Sequence, residues 1–186
     1  PDIFTILDAK RADIGNTNAG YVTFAFDYLG ADAITLNPYM GKSALQPFLD
    51  RADKGCVILC RTSNDGGEEF QSLNIDGEKL SQIVARNVAR GWNSNKNCLL
   101  VVGATNANEV ADLRRAVGDE IIFLVPGVGA QGGDLEKTLQ AGLSPGKKGL
   151  VISASRSIIY ASTGEDFAQA ARTEAEKINS QINQYR

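Results

Sequence analysis

Six short runs of apolar residues, each followed by a segment with helical periodicity, constrain this chain more than any other feature. The runs fall at 3–7, 33–36, 56–60, 99–102, 121–125 and 150–153. The helical segments fall at about 18–29, 43–53, 78–92, 108–117, 135–141 and 165–184. A strand that is apolar at every position must be covered on both faces, and helices between such strands supply the cover. The sequence therefore predicts an α/β fold on a parallel sheet. A doubly wound open sheet and a (β/α)8 barrel both satisfy this pattern. The 186 residues suffice for one domain with a sizeable core, and no linker or low-complexity stretch divides them. Asn16, Thr17 or Asn18 is expected to cap the first helix, and Thr163 with Asp166 resembles a capping box before the last. The polar stretch 61–77 is long for a strand-to-helix connection, which marks it as a candidate functional loop.

Charge and composition exclude several chemistries. The formal net charge is −3, which argues against nucleic acid as a partner. No apolar run approaches membrane-spanning length. Cys56, Cys60 and Cys98 all sit in strand-like runs without Cys-x-x-Cys spacing, so they read as buried thiols of a reducing, cytoplasmic compartment. The chain has no histidine, so neither a Ser-His-Asp nor a Cys-His mechanism can be built from it. Any proton chemistry must run on Asp, Glu, Lys, Tyr or Cys.

Two stretches carry chemistry. The first strand runs into Asp8-Ala9-Lys10-Arg11-Ala12-Asp13-Ile14-Gly15-Asn16-Thr17. Strand side chains alternate faces, so Asp8 and Lys10 are expected to point the same way, with Asp13 just beyond the strand end. On their own, Asp8 and Lys10 would read as a surface ion pair worth little. The second stretch is paired. The fifth run leads into the glycine loop Pro126-Gly127-Val128-Gly129-Ala130-Gln131-Gly132-Gly133-Asp134, and the sixth into Ser153-Ala154-Ser155-Arg156-Ser157. The glycine loop is not a Walker A loop, since no Gly-Lys-Ser/Thr closes it. In barrels the loops after the last two strands often hold phosphate, and an arginine there can clamp its oxygens bidentately.

The pattern Asp-x-Lys-x-x-Asp-Ile-Gly-x-Thr after a strand resembles the signature of orotidine 5'-phosphate decarboxylase. Pro-Gly-Val-Gly-Ala-Gln-Gly-Gly and Ser-Arg-Ser-Ile are similar to its phosphate-binding segments in the longer of two bacterial subgroups. Val101-Val102-Gly103-Ala104-Thr105 and Thr62-Ser63-Asn64 fit the same subgroup. The resemblance runs over essentially the whole chain. It implies a (β/α)8 TIM barrel, a homodimer with active sites at the interface, orotidine 5'-phosphate as substrate, and neither metal nor organic cofactor. It implies Lys10 as proton donor in a network with Asp8 and Asp13. Ile14 and Thr17 would reach into the neighbouring subunit's site, Ser63 would contact the pyrimidine with Pro126 near it, and Gln131, Ser155 and Arg156 would hold the phosphate.

The family barrel has eight strands, and this chain matches strands 3–8. Residues 1–186 are therefore expected to form a single barrel domain lacking its N-terminal two strands, completed by a separate N-terminal segment or another chain. In the family those strands carry an Asp that contacts the ribose and a further Lys. Two alternatives remain open at this point. One is a Mg²⁺-dependent sugar-phosphate decarboxylase or aldolase of the same superfamily, whose members share Asp-x-Lys-x-x-Asp but generally place Ala-Gly where this chain has Ile14-Gly15. The other is a non-catalytic phosphate-binding fragment.

Overall fold

Burial explains why the apolar runs become parallel strands. Every residue of β2 (Ala33–Leu36) is buried, as a strand covered on both faces requires. The computed structural model describes residues 3–128 and 134–186. They divide into two compact units, one of residues 1–62 and 66–101, the other of 63–65 and 102–186.

In the first unit, β1 (Ile6–Arg11), β2, β3 (Gly55–Arg61) and β6 (Cys98–Val102) follow one another in the sheet. β1 pairs parallel with β2, and β2 with β3. Parallel neighbours need a crossover. α1 (Gly15–Val22), which runs on into a π-helical segment Thr23–Tyr28, supplies the first. α2 (Gly41–Leu49) supplies the second. Leu36, Leu45, Phe48, Ile58 and Leu100 are fully buried, and Phe26 meets Phe48 edge-on with ring centroids 6.4 Å apart. Asn97, just before β6, donates to the carbonyls of Arg51 (3.0 Å) and Lys54 (3.1 Å), tying the approach to β3 to the approach to β6.

In the second unit, β7 (Ile122–Pro126) and β8 (Leu150–Ser153) pair parallel across α6 (Leu135–Gly142). α5 (Ala107–Val117), with Val110 and Leu113, buries against α6 and its Leu139. Arg114 of α5 is buried and has no carboxylate hydrogen-bond partner among the described residues. Its guanidinium donates to the carbonyls of Gly142 (2.9 Å), Gly118 (2.9 Å), Ile121 (2.6 Å) and Gly149 (3.0 Å). It also lies 3.9 Å over the Phe123 ring. α8 (Phe167–Asn183) closes the chain.

Several local expectations are corrected. The first strand begins and ends later than the apolar run suggests; Ile3 and Phe4 are exposed, while Asp8 to Arg11 continue the strand. α1 starts at Gly15, and its N-cap Ile14 offers no side-chain acceptor, so none of Asn16, Thr17 and Asn18 caps it. Asn18 is instead buried, donating to the carbonyls of Asp13 (2.7 Å) and Ala44 (2.6 Å). α8 is capped at Asp166, whose carboxylate accepts from Ser162 rather than pairing with Thr163. The stretch 61–77 holds α3 (Gly67–Gln71) and the first strand of a small hairpin, β4 (Asn74–Ile75) with β5 (Glu78–Lys79). Its two-residue turn, Asp76 (φ 52°) and Gly77 (φ 89°), has the doubly positive φ of a type I′ turn. No helix among the described residues is long and apolar enough to cross a membrane.

Candidate active site

At the carboxyl end of β1 the expected ion pair is formed. Lys10 Nζ lies 2.6 and 2.7 Å from the two carboxylate oxygens of Asp8. Strand alternation alone does not produce this geometry. Lys10 has φ 48°, in the left-handed region, and the β1–β2 register slips between Leu7 and Arg11. Thr35 of β2 sits against the slip. Its hydroxyl accepts from the Lys10 amide at 2.9 Å and donates to Asp8 Oδ1 at 2.8 Å. Burial works against the Asp8 charge. The hydrogen bonds from Lys10 and Thr35 and the attraction of Lys10 prevail, and the carboxyl is held below its ordinary range.

Asp13 lies three residues past Lys10, and its Oδ1 accepts from the Ile14 amide at 2.7 Å. Its carbonyl is gripped by Asn18. The turn into α1 is thus built by Asp13 and Asn18 in place of a conventional cap. It leaves Ile14 and Thr17 exposed at the start of the helix, Ile14 by 61%.

The second unit holds a cavity of about 170 Å³ lined by Ser63, Pro126, Gly127, Val128, Ser153, Ser155 and Arg156. It collects Ser63, Pro126, Ser155 and Arg156 of the expected ligand-binding residues. Gln131 lies outside the described residues. The cavity opens at the carboxyl ends of β7 and β8. Gly127 turns the chain away from β7 with φ 89°, and the Pro126 carbonyl accepts from Ala104 N at 3.1 Å. α7 (Arg156–Ile159), unforeseen in the sequence, starts at Arg156 and folds back so that the Ser155 carbonyl accepts from Ile159 at 2.8 Å. Arg156 lines this cavity and forms no ion pair among the described residues. Three serine hydroxyls and one arginine suit a tetrahedral anion. The volume is smaller than the roughly 300–1,000 Å³ of a whole-ligand cleft, so it matches one group of a larger ligand.

Two features of these sites have no side-chain motif. Gly103 lies so close to Ser63 that a Cβ there would meet Ser63 Cβ at 2.9 Å and its Cα and N at 3.0 Å. On the first unit's side of the same loop, Gln71 Oε1 accepts from the Thr62 amide at 2.8 Å, and buried Arg61 donates to the Thr62 carbonyl at 3.1 Å. The three cysteines are buried and free, and burial pushes Cys60 up to about 12 and Cys98 up to about 11.

Known proteins resemble this chain in sequence and fold. The model of the Orotidine 5'-phosphate decarboxylase / HUMPS family matches residues 2–173. The orotidine 5'-phosphate decarboxylase of Janthinobacterium sp. (strain Marseille) is 52% identical over 185 residues, and that of Azoarcus sp. (strain BH72) 53% identical over 186. Each alignment takes in 100% of this chain and 68% of the relative. Among solved structures, Leishmania donovani UMP synthase is 42% identical with a TM-score of 0.86, over 95% of this chain and 39% of that one. Leishmania donovani OMP decarboxylase is 40% identical with a TM-score of 0.84, over 95% and 68%. These likenesses select the barrel class over the doubly wound sheet. A family model over residues 2–173 and identity near one half across the chain lead to one assignment: the chain belongs to the orotidine 5'-phosphate decarboxylase family.

Proposed function

We propose that this chain carries the catalytic machinery converting orotidine 5'-phosphate to UMP and CO2, a step of pyrimidine biosynthesis, with Lys10 as proton donor. The observation that carries the reading is the Lys10 ammonium seated on both oxygens of Asp8 at the end of β1, in a chain half identical to named decarboxylases. Loss of CO2 from C6 of the pyrimidine leaves a carbanion without an obvious electron sink. A fixed cation at that carbon stabilises the developing charge and then delivers the proton. Asp8 orients the ammonium. Asp13, on the turn beyond the strand, adds the second carboxylate of the network. Ser63 contacts the pyrimidine beside Pro126, while Gln131, Ser155 and Arg156 hold the phosphate. Phosphate binding far from C6 supplies energy for orientation at the reacting carbon.

The exposed first turn of α1, with Ile14 and Thr17, suits a homodimer in which each protomer completes its partner's site. The relatives extend beyond the 68% that this chain matches, and a further segment of two β/α units completes the barrel. The protein works in the cytoplasm without metal.

The test follows the ultraviolet absorbance of orotidine 5'-phosphate with the purified chain in EDTA, alone and with the two-unit segment added, beside Lys10→Ala. Turnover that disappears in the mutant is the expected result. Turnover that requires Mg²⁺, or is absent from the completed barrel, would replace this reading with the aldolase or the non-catalytic alternative.

A further inference from the structure

The β1–β2 register places an irregularity at the proton donor. Leu7 pairs with Ile34 and Arg11 with Leu36, so four steps along β1 answer two along β2. The extra length is a bulge containing Asp8 and Lys10, with Lys10 at φ 48°. A bulged residue loses its ladder partner, and a lysine in the left-handed region is held there by its surroundings. Thr35 is the β2 residue between the two paired positions, and it is 1% exposed. Its one hydroxyl accepts from the Lys10 backbone and donates to the Asp8 carboxylate. It stands in for the missing ladder bond and fixes the carboxylate that receives Lys10 Nζ. Both ends of the ion pair are thereby referenced to one buried residue on the neighbouring strand, whereas the pair itself is exposed.

We propose that Thr35 is the positioning residue of this site: its hydroxyl holds the β1 bulge and aims the Asp8–Lys10 pair. This rests on the reading of Lys10 as proton donor, but the placement can be measured without turnover. Thr35→Val keeps the branched shape that a buried strand favours and removes only the hydroxyl. Thr35→Ser keeps the hydroxyl. The Asp8 carboxyl is followed by carbon-13 NMR through an acid titration of each chain.

In Thr35→Val the Asp8 midpoint is expected to rise by about one pH unit, a tenfold gain in proton affinity, as a donor to its charged form is lost. Thr35→Ser restores it. In decarboxylation, Thr35→Val is expected to lower kcat by about tenfold or more, with KM within about twofold, because phosphate binding is untouched. An Asp8 midpoint unchanged in Thr35→Val overturns the proposal, as does an unchanged kcat. If Thr35→Val does not fold, Thr35→Ala against Thr35→Ser makes the same comparison. An Asp8 midpoint that moves as expected in a chain that never turns over orotidine 5'-phosphate supports the placement and removes only the decarboxylase reading.

Discussion

Gly103→Ala tests how tightly the loop that bears Ser63 is held. The added methyl carbon would sit 2.9 Å from Ser63 Cβ and 3.0 Å from Ser63 Cα and N. Carbon atoms rest comfortably at about 3.5–4.0 Å, so Ser63 must retreat by about 0.5–1 Å. A change of rotamer cannot relieve contacts to Cα and N, which belong to the backbone. Gly103 itself does not occupy the left-handed region, so the whole effect is steric. Overpacking of this kind costs about 1–3 kcal/mol, which lowers Tm by roughly 2–12 °C in a chain of this size. If Ser63 contacts the pyrimidine, a displacement near 1 Å costs on the order of a hundredfold in kcat/KM. Thermal melting and initial rates on orotidine 5'-phosphate measure the two effects. Gly20→Ala is the control, because a Cβ there meets nothing within 4 Å. It should stabilise α1 by about 0.5–1 kcal/mol. A Gly103→Ala chain that melts and turns over like the parent would refute the reasoning.

Three further outcomes follow from the same structure. Arg114→Lys, keeping the charge but losing the planar fork, should still destabilise by about 2 kcal/mol or more, because it leaves some of the four carbonyls without a donor, those of buried Gly142 and Ile121 among them; urea unfolding reads this. The three thiols should ignore a thiol reagent in the native chain at pH 8 and all react in denaturant; native reaction at Cys60 would contradict its burial. The Asp8 carboxyl lies lower in the folded state than its ordinary value. Its contribution to stability is therefore full above the unfolded value near 3.8 and is lost as pH falls through the lower folded one. In Asp8→Asn that acid-side dependence should shrink, which unfolding curves between pH 2 and 5 would show.

The parallel α/β pattern was legible because burial on both faces favours apolar residues, and β2 is buried at all four positions with Thr35 its one polar residue. The residues that line the cavity after β7 and β8 were legible in part, because serine and arginine at strand ends are visible without coordinates, while most of the glycine loop lies outside the described residues. The hairpin at Asn74–Lys79 announced itself through Asp76-Gly77, a signal passed over because each strand is only two residues long. The β1 bulge had no local signal. It depends on where Thr35 falls on the next strand, and a threonine in an apolar run looks like any other strand former. The four carbonyl bonds of Arg114 were equally hidden, because their partners are backbone atoms whose positions only the fold defines. The cap at Ile14 was misread because Asp13 and Asn18 share a task that usually falls to one residue.

Arg114 and Asn97 both work at the amino ends of strands. Arg114 binds the carbonyls of Ile121 and Gly149 just before β7 and β8, and Asn97 gathers carbonyls just before β3. The cavity residues Gly127, Ser155 and Arg156 lie beyond the other ends of β7 and β8. A five-residue strand separates the two ends by about 16 Å. Perturbations that far apart are expected to add independently. An Arg114 variant combined with an Arg156 variant should then show the stability loss of the first and the affinity loss of the second, with no coupling between them. The second unit is modular along its strand axis: the loops beyond β7 and β8 can diverge over evolutionary time while the contacts of Arg114 at the other ends of those strands keep the unit standing.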